Sequence, residues 1–223
     1  CDPNDLTDKQ KHLLTKSKVF CILPWIHMHA FPDGRAYPCC LGDMWNPIGD
    51  LRKNTMKEVW NDLPMRTMRT NMLSETPCKE CNKCYELEES GFFSMRNSFS
   101  KDFGHFIDLT DSTESDGTLD DFTLRYYDVR FSNLCNFRCR TCGPIFSSNW
   151  YDDQVKLAGD EWSKNNTRIN FAGRSEDDIW NQLEPQIDNL EQVYFGAKKL
   201  KSMHSFFIIH IFHKLFEDAP YKH

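Results

Sequence analysis

Leu124-Arg125-Tyr126-Tyr127-Asp128-Val129-Arg130-Phe131 leads straight into Cys135-Asn136-Phe137-Arg138-Cys139-Arg140-Thr141-Cys142. The first stretch alternates like a half-buried strand. The second places three thiols on one short loop immediately after it. A helix is predicted from Ser147 to about Leu157, and the stretch from Ser175 to Leu190 reads as helical. Gln192-Val193-Tyr194-Phe195 then reads as a second strand. Strand, loop, helix and strand in that order open a βα repeat, so the fold class is α/β with a parallel sheet.

Upstream the pattern is different. Pro24 to Phe31 reads as one arm of a hairpin, Pro32-Asp33-Gly34-Arg35 as its turn, and Ala36 to Cys40 as the returning arm. Asn54 to Trp60 reads as a helix start, with Val59, Trp60 and Leu63 at helical spacing and Pro64 interrupting. Met65, Met68 and Met72 repeat along a further helix and read as core rather than as a binding stripe. Between Asp108 and Asp121 lie six acidic residues and no Lys or Arg, which reads as a solvated linker. The predicted organisation is an extension over 1–20, a cysteine-rich domain over 21–100, a linker over 101–122 and an α/β domain over 123–223. The chain starts at Cys1, which fits processing, a chosen boundary or an incomplete reading frame, and the apolar tail Phe206 to His213 continues no expected pattern, so a truncated or frame-shifted terminus is expected.

Composition narrows the function. The 223 residues carry 27 Lys and Arg against 33 Asp and Glu, a net charge of −6. Such a chain binds nucleic acid or anionic membrane poorly. It has neither a signal peptide's apolar core nor a run long enough to span a bilayer, so a cytoplasmic location and no membrane partner are expected.

Ten cysteines stand at positions 1, 21, 39, 40, 78, 81, 84, 135, 139 and 142. Without a secretory route, clustered cysteines point to metal or redox chemistry rather than disulfides. In the loop, Cys135, Cys139 and Cys142 follow C-x3-C-x2-C spacing. Three thiolates leave one iron of a [4Fe–4S] cluster without a cysteine, and an open iron can bind a substrate or cofactor. Structural zinc usually takes four ligands, and the histidines are remote in sequence. The other group is Cys21, Cys39-Cys40 and Cys78-x2-Cys81-x2-Cys84. A bacterial ferredoxin run would put its next cysteine at 88, which is Glu88. A zinc knuckle using the same thiolates stays open. His27 and His29 share a strand face near Cys21 and read as ordinary hairpin side chains rather than groups tuning a metal site. His210 and His213 form an H-x2-H, which is weak evidence for a ligand pair.

The loop motif, with Arg130 to Cys135, Gly143-Pro144 and Ser147-Ser148-Asn149-Trp150, resembles the signature of the radical S-adenosylmethionine (radical SAM) superfamily. That resemblance implies a partial (β/α) barrel. Its open cluster, on the catalytic ligands Cys135, Cys139 and Cys142, cleaves S-adenosylmethionine to a 5′-deoxyadenosyl radical. It also implies cofactor contacts at Phe137, Thr141 and Gly196. Thr141 stands where the family often has an aromatic residue. Gly196 is the one match to the family's Gly-Gly-Glu-Pro-like segment, and lysines follow it.

Cys21-Ile22-Leu23-Pro24-Trp25, Gly34 to Cys40, and Cys81-Asn82-Lys83-Cys84-Tyr85 with Glu88, Gly91, Ser94 and Arg96 resemble a SPASM/twitch auxiliary iron–sulfur domain, here a small α+β unit. The one-cluster twitch type fits the cysteine number better than the two-cluster type. The resemblance implies auxiliary [4Fe–4S] ligands Cys21, Cys39, Cys81 and Cys84. Cys40 remains an alternative to Cys39, because neighbours on a strand face opposite ways. Cys78 remains an alternative to one of the later pair. An auxiliary domain ahead of the barrel is similar to twitch-containing radical SAM proteins of phage and marine bacterial genomes. The implied partners are a peptide or small-molecule substrate and a reductant such as flavodoxin or ferredoxin. The competing functions are a non-catalytic zinc- or cluster-binding interaction module and an inactive fragment of such an enzyme.

Overall fold

A computed structural model describes residues 6–175 and 177–195. The described chain forms two compact units. The first comprises the chain up to His29, Ala36–Asp50 and Asn54–Arg125; the second comprises Ala30–Arg35, Leu51–Lys53 and the chain from Tyr126 onward.

The first unit opens with α1 (Asp8–Thr15), started by a capping box between Thr7 and Gln10. Strand β1 (His27–Ala30) and strand β2 (Arg35–Tyr37) are the two arms of the hairpin, and the sheet order is β3-β2-β1 with β3 at Gly49–Asp50. Gly34, in the second unit, takes φ +85° at the tip, the left-handed region that glycine enters without steric penalty. Leu23–Trp25 is a 3-10 turn and not part of the strand arm expected there. Pro24 has no N–H to give a sheet ladder, and the amides of Trp25 and Ile26 instead close back on the carbonyls of Ile22 and Leu23 at 3.0 Å each. His27 and His29 are both buried.

Helix α2 (Met56–Trp60) starts at a Thr55/Glu58 capping box and buries Met56, Val59 and Trp60. Helix α3 (Leu63–Leu73) starts at Asp62, so Pro64 opens this helix rather than interrupting one. Leu63 is exposed at its first position, while Met65, Met68 and Met72 are all buried, as the core reading expects. Helix α4 (Asn82–Glu89) and helix α5 (Met95–Phe103) follow.

The acidic stretch is packed. Gly104–Ser112 forms a 3-10 helix that buries Ile107 and Thr110, and Leu119 is buried beyond it. Gln10 Nε2 donates to Asp108 Oδ1 at 3.0 Å and to Asp111 Oδ2 at 2.7 Å. Gly117, at φ +87°, lies so close that a Cβ there would meet the Arg66 carbonyl oxygen at 2.2 Å. Arg69 ties this stretch to the core: its Nε donates to the Pro24 carbonyl at 2.9 Å and its Nη1 to the Gly117 carbonyl at 3.2 Å. Its guanidinium also lies 4.7 Å from the centre of the Trp60 ring. Burial without a carboxylate partner pushes the Arg69 pKa down to about 9.

In the second unit, β4 (Tyr126–Val129) pairs in parallel with β5 (Gln192–Phe195), with Tyr127 opposite Val193. Between them run a 3-10 turn at Ser148–Trp150, α6 (Tyr151–Ala158), α7 (Asp160–Lys164), α8 (Asp178–Leu183) and a 3-10 segment at Glu184–Asn189. A parallel pair joined through helices is the expected α/β unit. Ile179, Leu183, Ile187 and Leu190 are buried, the apolar face of that final crossover. Gly196, His210 and His213 lie outside the described residues. Among the described residues, no helix is long and apolar enough to cross a membrane.

Candidate metal centres

Three separate segments of the first unit bring cysteines to one pocket. Before Cys21, the Ser17 hydroxyl accepts hydrogen bonds from the amides of Val19 and Phe20 at 3.1 and 2.9 Å, which turns the chain. The returning arm stops at Tyr37, short of the Cys40 expected, so Cys39 and Cys40 lie in a turn rather than on a strand, and the Gly42 amide closes on the Cys39 carbonyl at 3.1 Å. Cys81 ends a 3-10 turn and caps α4, and Cys84 sits in the first turn of that helix. A spacing of i, i+3 puts both on one side. The pocket is lined by Cys21, Cys39, Cys40, Cys81, Cys84 and Arg96, among others.

The two sequence alternatives occupy different surroundings. Cys39 is half-buried while Cys40 is exposed. Cys78 is buried, and its Sγ lies 3.8 Å from the Met68 carbonyl oxygen, off the pocket lining.

The pocket thiols share an electrostatic environment. Burial pushes the Cys21 thiol up to about 12; the Leu23 amide opposes this, and Cys84 adds to it. Burial likewise pushes Cys39 up to about 12, with Cys21 the strongest electrostatic neighbour. Cys81 is raised furthest, by burial and then by Cys21, Cys39, Cys78 and Cys84. Burial lifts Cys78 to about 11. Thiols in such surroundings hold their protons at neutral pH, and a positive metal centre displaces them. Among the described residues, no three Cys, His, Asp or Glu side chains are drawn together tightly enough to hold a single metal ion.

A ring of polar contacts braces the pocket. Tyr85 Oη accepts from the Cys78 amide at 3.3 Å and donates to the Val19 carbonyl at 3.4 Å. Ser94 caps α5 through the Asn97 amide and also donates to Glu88. Arg96, in the first turn of α5, grips Glu88 with two nitrogens and donates to the Phe20 carbonyl at 2.7 Å. The sequence carries Glu88, Ser94 and Arg96 at fixed spacing after Cys84, but the spacing alone does not reveal that they grip the chain beside Cys21.

The second cysteine group is built on one loop. Asn133, fully buried, fastens both ends of it: Nδ2 donates to the Pro144 carbonyl at 2.8 Å and the Arg168 carbonyl at 3.0 Å, and Oδ1 accepts from the Asn170 amide at 2.9 Å. The buried Ser147 hydroxyl donates to the Phe137 carbonyl at 2.7 Å. Trp150 Nε1 donates to the Cys139 carbonyl at 3.2 Å. The Cys142 amide closes on the Cys139 carbonyl at 3.0 Å. The side chains within this frame face outward: Cys139, Phe137 and Thr141 are exposed, and Cys135 and Cys142 are half-buried. The roles of Asn133, Ser147 and Trp150 are invisible in spacing, although all three stand in the quoted motif.

The pocket of the first unit brings together cysteines from the segment after the hairpin and from a C-x2-C helix start. Residues 21–85 match the family model of SPASM, an iron-sulfur cluster-binding domain, so the chain carries a SPASM domain over that segment. No curated protein and no solved structure matches the chain.

Proposed function

We propose that the chain is a radical SAM iron–sulfur oxidoreductase or modifying enzyme with an auxiliary cluster. The observation that carries this is the meeting of Cys21, Cys39, Cys81 and Cys84 at one enclosed pocket within a segment that matches an iron-sulfur cluster-binding domain. SPASM domains are typical of radical SAM enzymes. In the same chain, Cys135, Cys139 and Cys142 stand on an outward-facing loop after a strand of a parallel pair.

The two groups divide the work by their surroundings. Cys21, Cys39, Cys81 and Cys84 would hold an auxiliary [4Fe–4S] cluster, with four thiolates closing every corner. Cys40 and Cys78 are the reserve ligands, less favoured because one is exposed and the other faces the Met68 carbonyl. Cys135, Cys139 and Cys142 would hold the catalytic cluster and leave one corner for S-adenosylmethionine. When bound, these groups supply reductive cleavage of the sulfonium and a 5′-deoxyadenosyl radical. The protein's share is to hold the loop: Asn133 and Ser147 fix its ends and middle, and Trp150 anchors Cys139. Phe137, Thr141 and Gly196 are the proposed cofactor contacts, the last outside the described residues. The substrate class is a peptide or small molecule, the electron donor a flavodoxin or ferredoxin, and the location cytoplasmic, with no nucleic-acid or membrane partner.

The test is S-adenosylmethionine cleavage. The anaerobically reconstituted, dithionite-reduced chain should form 5′-deoxyadenosine, and Cys139→Ala should abolish it. Iron uptake without any 5′-deoxyadenosine would reduce the reading to a non-catalytic cluster-binding module or an inactive fragment.

A further inference from the structure

We infer that Arg96 is a positioning residue for the first-unit pocket and that its charge, opposed by Glu88, sets the reduction potential of the centre held there. This rests on the iron–sulfur reading of the pocket.

Arg96 is a buried cation in the pocket lining, with Cys21, Cys81 and Cys84 around the same space. Its Nη1 donates to the carbonyls of Phe20 at 2.7 Å and Ser17 at 3.3 Å, the backbone leading into Cys21. Its other nitrogens are taken by Glu88, with Nε at 2.9 Å from Oε1 and Nη2 on Oε2. Glu88 follows Cys84 by one helical turn on α4, and Ser94 donates to the same carboxylate. So one guanidinium joins the Cys21 segment to the Cys84 helix and keeps a fixed plane at the pocket wall. A planar fork gripped on both sides is a task for Arg that Lys performs poorly.

The charge has a second effect. Four thiolates make a cluster anionic, and taking up one electron makes it more so. A fixed cation nearby favours the reduced form, and burial magnifies the interaction. Nearby charge and hydrogen bonding are among the levers that set cluster potentials. Glu88 offsets part of that cation, so the two residues push the potential in opposite directions. A bracing role alone would alter loading or stability and would produce no opposed pair of shifts.

The experiment uses the full chain carrying Cys135→Ala, Cys139→Ala and Cys142→Ala, so that one centre gives the signal. The protein is loaded anaerobically with ferrous iron and sulfide and titrated by electron paramagnetic resonance. Arg96→Gln should shift the one-electron equilibrium at least tenfold toward the oxidised form, a fall of 59 mV. Glu88→Gln should shift it toward the reduced form. Arg96→Lys should stay within threefold of the parent while loading less cluster, because Lys keeps the charge and loses the fork. If Arg96→Gln fails to load, the Glu88→Gln rise together with an unmoved Arg96→Lys supports the inference, and any other pair overturns it. A loaded parent with Arg96→Gln and Glu88→Gln both within twofold of it, or shifted the same way, overturns the inference and leaves the iron–sulfur reading standing. A parent that takes up no iron overturns that reading itself.

Discussion

The two cysteine groups of this chain are opposites in construction. The first draws thiols from three segments up to 63 residues apart, from Cys21 to Cys84, and buries Cys21 and Cys84 while leaving Cys39 and Cys81 half-buried. The second takes all three thiols from one eight-residue loop and leaves Cys139 exposed. In the first, side chains such as Arg96 and Tyr85 tie distant segments together around the thiols. In the second, Asn133 and Ser147 tie the ends of one loop so that the thiols point away from the frame. An enclosed site suits electron storage or structure, and an open one suits a ligand that must come and go. The comparison predicts that each group loads independently and fails for its own reasons.

The largest expected effect comes from breaking one group at a time. Cys81→Ser should remove about half the iron, roughly four of eight per chain, and Cys139→Ser should remove the other half. Iron and sulfide analysis of each variant checks this. Loss of all iron from either single variant would show that the groups share one centre and would remove the contrast.

Next in size is the frame of the open loop. Asn133→Ala deletes three side-chain hydrogen bonds at a fully buried position and leaves the Pro144 and Arg168 carbonyls short of a donor. Unsatisfied buried groups cost about 1–3 kcal/mol each, so a loss of about 3 kcal/mol is expected from urea unfolding followed by Trp fluorescence. Iron on the loop should fall while pocket iron stays.

The corresponding anchor in the first unit is Arg69. Arg69→Met keeps the apolar contact with Trp60 and strands the Pro24 and Gly117 carbonyls. The expected loss is about 2–3 kcal/mol. It should reduce pocket loading and leave the loop unaffected. An unchanged midpoint would mean that water replaces the guanidinium without penalty.

The acid and basic residues of these regions show how much the sequence discloses. The helix start within Asn54–Trp60, the buried Met65, Met68 and Met72, and the strand Gln192–Phe195 were all legible, because each signal is local and periodic. Pro24 to Ile26 was not, since apolar residues there satisfy either an extended arm or a 3-10 turn, and only the missing Pro24 N–H separates them. The stretch from Asp108 to Asp121 reads as a linker by charge. It packs because Gln10, Asn61, Arg66 and Arg69, all remote in sequence, reach it. In the same way the cysteine positions were legible, while the grip of Arg96 on the Phe20 carbonyl was not: it depends on a contact across 76 residues.

The smallest expected effect is on pH dependence. Burial alone would raise the Glu88 carboxyl, but hydrogen bonds from Arg96 and Ser94 outweigh it and hold the group below the ordinary glutamate range. A depressed folded pKa gives stability that is present above the unfolded value, about 4.3, and is lost as pH falls below it through the folded value. The metal-free chain should therefore lose part of its first-unit stability on acidification below about pH 4.3, and Glu88→Gln should flatten that part of the curve. Thermal unfolding at a series of pH values checks it; an equal acid slope in both proteins would remove Glu88 from the account.

Iron, acid-labile sulfide and zinc per chain after anaerobic reconstitution test the central claim most directly. The account predicts about eight irons with matching sulfide, two four-iron clusters in one chain. One or two zincs with little iron would contradict it and leave a thiolate-stapled binding domain in place of an iron–sulfur enzyme.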